Sequence, residues 1–282
     1  MRIGIASYAY FDRYGVEKGL QRMKAHGYDA TDFQGFVRSD SPLYAVNEQE
    51  LRTSLLQLKA LADDAGIEIN QAHGHWRWPS MDYTAEQRAE RFEWMARALY
   101  GCALLGCKNL VIHPLMPYGR YEIDRRVVEE INADFFLRLA EVAKLHDVTV
   151  CLENMPFLNH FLARPAELLG FVKQLDHSHI RMCLDTGHCT MFDISPADAV
   201  RRIGKEHLRV LHVHDNDGQN DQHRLPFDGV IGWAEFARAL QEIDFAGVFS
   251  LETCVEKSSP APDKWEDEEK TLAALAASLA GR

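Results

Sequence analysis

Cys151-Leu152-Glu153-Asn154, Cys183-Leu184-Asp185-Thr186-Gly187-His188, Leu211-His212-Val213-His214-Asp215 and Ser250-Leu251-Glu252 share one form, an apolar run that stops at a carboxylate or an imidazole. Asn70-Gln71-Ala72-His73 and Ile112-His113-Pro114 repeat it earlier in the chain. Each run reads as a buried strand. Ionisable groups at such ends are costly to bury alone, but together they form a site for a divalent cation. Several strands delivering polar groups at their C-terminal ends is how a (β/α)8 barrel builds an active site.

Outward from these segments, β-branched apolar runs alternate with longer amphipathic stretches along the whole chain. The runs predict strands over Ile3–Ser7, Ala30–Gln34, Ile67–His73, Asn109–Pro114, Thr149–Glu153, Arg181–Asp185, Arg209–His214 and Val248–Glu252. Helical spacing fills the intervals at Val16–His26, Glu48–Ala65, Ala85–Leu105, Arg125–Leu145, Pro165–Leu175, Pro196–Gly204 and Trp233–Ile243, and Asp267–Leu279 closes the chain. Strand followed by helix throughout is the pattern of a single (β/α)8 TIM barrel spanning residues 1–282. Gly27 and Gly66 stand where helix C-caps fall, and Asp82-Tyr83-Thr84 offers N-capping side chains. The stretch 256–264 reads as a loop, and Glu266-Asp267-Glu268-Glu269 as an acidic helix start that suits the helix dipole. A doubly wound sheet competes, but no glycine-rich turn follows the first strand.

Composition narrows the function. At 282 residues, 46% hydrophobic and 26% charged, the chain is an ordinary globular enzyme in make-up. A net charge of -11 argues against a polyanion-binding surface, so a nucleic-acid partner is not expected. Six scattered cysteines without a CxxC pair read as reduced, buried thiols. A strand run that opens at once, in Met1-Arg2-Ile3-Gly4-Ile5, and the absence of a long apolar run give the expectation of a cytoplasmic protein with no membrane partner.

The donor types favour a hard cation. Glu153, Asp185 and Glu252 with one imidazole suit one Mn²⁺, Mg²⁺ or Co²⁺, and zinc accepts the same set. Asp185 and His188 flank a tight turn, and His212 and His214 alternate along one strand, so both imidazoles face one side. His73, His113, Asp221 and His223 extend the ring as further metal or substrate ligands. Trp76 and Trp78, just past the third strand, suit the C–H face of a sugar, or pack against a neighbouring loop or subunit. Tyr8, Tyr10 and Phe11 after the first strand carry the same two readings. His26, His146, His160, His177, His179 and His207 fall on helices, loops or strand starts and are expected to be solvated.

Leu152-Glu153-Asn154, Leu184-Asp185-Thr186-Gly187-His188 and His212-Val213-His214-Asp215-Asn216 make the chain resemble the xylose isomerase-like barrels over nearly its whole length. That group includes sugar isomerases, sugar epimerases and an endonuclease IV branch. The resemblance implies Glu153, Asp185, His212 and Glu252 as ligands of one divalent cation. His212 is preferred to His214 because the family's ligand stands three residues before an acidic residue, here Asp215. It puts the family's substrate-holding histidine on His188. The implied activity is isomerisation or epimerisation of a sugar or sugar phosphate through a metal-stabilised enediolate, with Glu153 and Glu252 as the acid–base pair and dimers or tetramers as the usual assembly. The nuclease branch holds three zinc ions on a larger set, with counterparts here in His73, His113, Glu153, Asp185, His188, His212, Asp221, His223 and Glu252. A dehydratase or lyase on the same barrel is a third reading. The chain departs from the ketose 3-epimerases in two places: Pro156-Phe157-Leu158-Asn159 lacks their acidic residue, and Gly218 stands where they carry a substrate-binding arginine, leaving Arg224 to supply a guanidinium from the same loop.

Overall fold

Eight parallel strands lie in the order β7-β6-β5-β4-β3-β2-β1-β8. They are β1 Arg2–Ala6, β2 Ala30–Phe33, β3 Glu68–His73, β4 Asn109–Ile112, β5 Thr149–Glu153, β6 Ile180–Asp185, β7 Leu208–His212 and β8 Val248–Leu251. In this computed structural model the described residues are 1–80, 82–117, 124–258 and 261–282. Ser259 and Pro260, in the expected loop 256–264, lie outside them. The row closes on itself where Val213 N donates to Ser250 O at 2.9 Å and Glu252 N donates to Val213 O at 3.0 Å. The result is a TIM barrel.

Helices cover the outside: α1 Ser7–Tyr14, α2 Val16–His26, α3 Pro42–Ala45, α4 Glu48–Ala65, α5 Ala85–Leu105, α6 Arg125–Leu145, α7 Pro165–Leu175, α8 Thr186–Thr190, α9 Pro196–His207, α10 Trp233–Glu242 and α11 Trp265–Leu279. Their ends follow local chemistry. Asn47 with Glu50 and Thr84 with Gln87 form capping boxes at the starts of α4 and α5. Gly27 and Gly66 close α2 and α4 in the left-handed region, with φ of 100° and 70°. Three short helices were not expected from periodicity, because α1, α3 and α8 follow a strand or turn too closely to show a full amphipathic repeat.

Strand alternation divides the side chains into two layers. Leu110, Ile112, Leu152, Leu184 and Leu211 pack outward under the helices. Val111, Cys151, Cys183 and Val210 form a separate cluster inside the barrel. Two residues further along the same strands come His113, Glu153, Asp185 and His212, which therefore point inward just above that cluster.

Several expectations change in the folded chain. Tyr10 belongs to the core, with its hydroxyl 2.8 Å from His26 Nδ1, so it does not cover substrate. His26 and His160 are buried, not solvated: α2 turns His26 toward Tyr10, and His160 packs edge-on against Phe161. All six cysteines are buried and unpaired. Among the described residues, no helix is long and apolar enough to cross a membrane.

Candidate active site

The inward groups at the strand ends meet in one continuous cluster. Glu153, at the end of β5, is its centre. Its Oε2 lies 3.0 Å from His113 Nε2 and 3.5 Å from His73 Nε2, and its Oε1 lies 2.8 Å from His212 Nδ1. Glu252, one residue past β8, brings Oε2 to 3.2 Å from the same His212 nitrogen. The other ring nitrogen of His212, Nε2, is 2.9 Å from Asp32 Oδ2. Gln71 holds that carboxylate in place, donating to it at 3.1 Å.

A second group adjoins the first. Asp185 caps α8 by accepting from His188 N at 2.7 Å, and its other oxygen is 2.9 Å from His214 Nε2. Asn154 ties β5 to β6 by donating to Asp185 O and accepting from Asp185 N. His188 Nδ1 faces Asn154 O at 2.7 Å, leaving Nε2 3.3 Å from Asp221. His223 stacks on His214 with ring centroids 4.0 Å apart and approaches Asp221 at 3.3 Å. Gly187 makes this packing feasible, because a Cβ there would fall 2.1 Å from the His214 ring.

Burial and charge act in opposite directions here. Burial works against the Glu153 carboxylate, yet the His212 and His113 imidazoles hold it well below the usual range. Glu252 is raised, because burial outweighs His212 and His223. Burial disfavours a charged His188, but Asp185 and Asp221 override it and push that imidazole up to about 10. His113 drops to about 4, chiefly through burial.

All of the sequence-predicted donors converge. His73, His113, Glu153, Asp185, His188, His212, His214, Asp221, His223 and Glu252 form a chain of donor groups, and several triplets have ligand atoms within 4.8 Å of one another, among them His73 with His113 and Glu153, Asp185 with His188 and His214, and His214 with Asp221 and His223. Above them opens a cavity of about 220 Å³, whose other wall is Val37, Trp76, Met155, Pro156 and Phe157. Trp76 lines it and meets His113 edge-on at 4.5 Å. Trp78 sits at the rim, 68% exposed. Arg224 is not brought to the cavity: its guanidinium donates to Asp228 O at 3.2 Å and approaches Asp217 at 3.9 Å. Asp32, Gln71 and Asn154 are buried partners of the donor cluster that the strand-end pattern missed. Asp32 carried the same signal, a carboxylate inside the apolar run Ala30-Thr31-Asp32-Phe33, on a strand whose end bears no imidazole.

A closed parallel barrel with carboxylates and imidazoles ringing its C-terminal mouth is the architecture of a barrel enzyme. The chain belongs to the xylose isomerase-like TIM barrel family, whose model matches residues 20–275. A D-psicose 3-epimerase of Agrobacterium fabrum is 31% identical over 231 residues, covering 78% of this chain and 76% of the relative. An uncharacterised protein of Methanocaldococcus jannaschii is 31% identical over 162 residues, about half of each chain (55% and 54%). Among solved structures, a D-psicose 3-epimerase studied with D-fructose superposes with a TM-score of 0.79 at 19% identity, covering 100% of both chains. Of these relatives, the one matched over about three quarters of both sequences is a sugar 3-epimerase.

Proposed function

We propose that the protein is a divalent-metal-dependent sugar epimerase or isomerase in which Glu153 and Glu252 handle the protons. One observation carries this reading: two carboxylates from opposite sides of the mouth reach the same nitrogen, His212 Nδ1, at 2.8 and 3.2 Å. Ligands of one small cation stand about 3 Å apart, so the spacing fits a shared ion. The donor set fits as well. Asp32 fixes His212 through its far nitrogen, the arrangement that orients a ligating imidazole. Glu153, Asp185, His212 and Glu252 would hold the ion, with His214 beside Asp185 as a further donor. When bound, the cation supplies Lewis acidity that lowers the pKa of a C–H next to a carbonyl.

The residues divide the remaining work. Glu153, kept ionised by its imidazole neighbours, accepts the proton from the carbon beside the carbonyl. Glu252, raised by burial, returns a proton from the other face. Return to the opposite face of the same carbon inverts it; return to the neighbouring carbon exchanges aldose and ketose. His188 lines the cavity and donates to the oxygen on which charge develops. Trp76 and Phe157 exclude water from the other side. Six buried thiols support a reducing, cytoplasmic location.

The test is proton exchange. Incubation with a panel of free ketoses and aldoses in D₂O should place deuterium on the carbon beside the carbonyl, read by NMR. Glu153→Gln and Glu252→Gln should each slow it by about 10² to 10⁴ while the protein stays folded. Wild-type exchange rates in either variant would overturn the assignment. The flanking triplets His73–His113–Glu153 and His214–Asp221–His223 favour a second reading, a three-zinc phosphodiesterase. About one manganese, cobalt or magnesium per chain by elemental analysis supports the first reading, and close to three zinc ions supports the second.

A further inference from the structure

The cavity's apolar wall does not end at the cavity. Trp76 packs edge-on against His113 at 4.5 Å and faces Phe157 at 6.2 Å. Phe157 in turn stacks on Trp78, with centroids 4.9 Å apart and ring planes 12° from parallel. A continuous aromatic surface thus runs from the donor ring to the rim. Its outer member, Trp78, is 68% exposed, and the adjoining Leu158 is 66% exposed. A stacked tryptophan left in water beside an active-site mouth is a surface built to be covered.

Charge identifies what covers it. Among the described residues, no Lys or Arg lines the cavity, so none of these side chains offers a phosphate a positive charge there. Gln34 also lines it, and its buried Nε2 has no hydrogen-bond partner among the described residues. That nitrogen is a free donor for a hydroxyl. Flat aromatic faces beside an unused amide donor match an uncharged pyranose ring, which stacks through its axial C–H bonds and accepts at its hydroxyls.

We infer that Trp78 and Phe157 form a second sugar subsite, so that the substrate is an uncharged glycoside or disaccharide rather than a free or phosphorylated monosaccharide. This inference rests on the epimerase reading and specifies its substrate class. The reacting unit occupies the cavity over Glu153 and Glu252. The second ring, joined to it by the glycosidic bond, lies on the Trp78–Phe157 pair at the rim. No bond to the second ring is made or broken.

The experiment compares D-fructose with lactulose and palatinose, disaccharides whose reducing unit is a ketose, in D₂O with the manganese-loaded full chain. Deuterium incorporation beside the carbonyl is followed by NMR. Preference for a disaccharide by about tenfold in kcat/KM, carried by KM and lost in Trp78→Ala with fructose turnover unchanged, is the expected result. Equal exchange into fructose and disaccharides, indifferent to Trp78→Ala, overturns the second subsite and leaves the epimerase reading standing. Metal-dependent exchange into neither class overturns both.

Discussion

Asp32→Asn isolates the group that orients His212. Asp32 is fully buried, and one of its oxygens, Oδ2, serves two partners, His212 Nε2 at 2.9 Å and Gln71 Nε2 at 3.1 Å. The other, Oδ1, is buried with no partner among the described residues. An asparagine in the same pose must keep its carbonyl toward the two nitrogens. Its NH₂ then occupies the partnerless position, leaving a buried donor unsatisfied at a cost of about 1–3 kcal/mol. The flipped amide is no better, because it sets a donor against two donors. His212 also loses the carboxylate that fixes its tautomer and raises its basicity. Such outer partners are worth about 10–100-fold in metal affinity, or about 1.4–2.7 kcal/mol. Titration of Mn²⁺ into chelator-stripped protein by calorimetry should show Kd raised by that factor, with Tm of the stripped protein a few degrees lower. Wild-type Mn²⁺ affinity in a folded Asp32→Asn would refute the coupling between Asp32 and the ligand.

Three further perturbations test other links. Arg91, 2% exposed, pairs with the buried Asp82 at 2.6 Å and donates to His113 O at 2.9 Å, so Arg91→Leu strands a carboxylate and should cost about 3–5 kcal/mol in urea unfolding. Gly187→Ala drives a methyl into the His214 ring, which Asp185 and His223 hold in place, so it should weaken cation binding about tenfold or more with the far-UV spectrum unchanged; unaltered binding would show that the ring has room to move. Burial depresses the His160 pKa to about 3. Above the unfolded value of about 6.5 the group is neutral in both states; as pH falls toward 3, only the unfolded chain takes the proton, so stability is lost. Between pH 7 and 4.5, His160→Gln should lose about 2 kcal/mol less than wild type in chemical denaturation, and parallel pH curves would count against a neutral buried imidazole.

The barrel was legible because two periodicities alternate without interruption. Strands such as Asn109–Ile112 and Thr149–Glu153 announce themselves by short apolar runs, and α5 and α6 by long amphipathic ones. The donor ring was legible for a related reason: a charged residue at the end of a buried strand violates the apolar pattern. The same logic explains the gaps. Gln71 and Asn154 are neutral, so they break no charge rule, and their roles depend on Asp32 and Asp185 across the barrel. His26 and His160 looked solvated because nothing local tells a buried imidazole from an exposed one. Arg224 was expected to replace, from the same loop, the arginine whose place falls on Gly218, but the turn at Phe227, with φ of 76°, sits in a loop that Asp215 gathers through Phe227 N, Ile231 N and Trp233 Nε1, and the guanidinium ends beside Asp228. Sequence proximity does not fix direction across such a loop.

The donor ring by itself does not choose between a sugar and a phosphodiester, since both chemistries use carboxylates and imidazoles around divalent ions. The opposite wall does discriminate. A nucleic-acid backbone brings a run of negative charge, and its binding depends on lysines and arginines that neutralise it. Here the facing wall is Val37, Trp76, Met155 and Phe157, the lining among the described residues contains no Lys or Arg, and the chain carries a net charge of -11. Bringing a polyanion against that wall would desolvate phosphates next to aromatic carbon and beside Glu252 and Asp221, with no lysine or arginine among the described lining residues to offset the cost. An open-chain or ring sugar meets the same surfaces on better terms: hydroxyls toward the donor ring and Gln34, C–H bonds toward Trp76 and Phe157. On the proposed reading, the donor-ring half of the cavity would define what kind of bond is activated, and the aromatic half which molecules bring that bond to it.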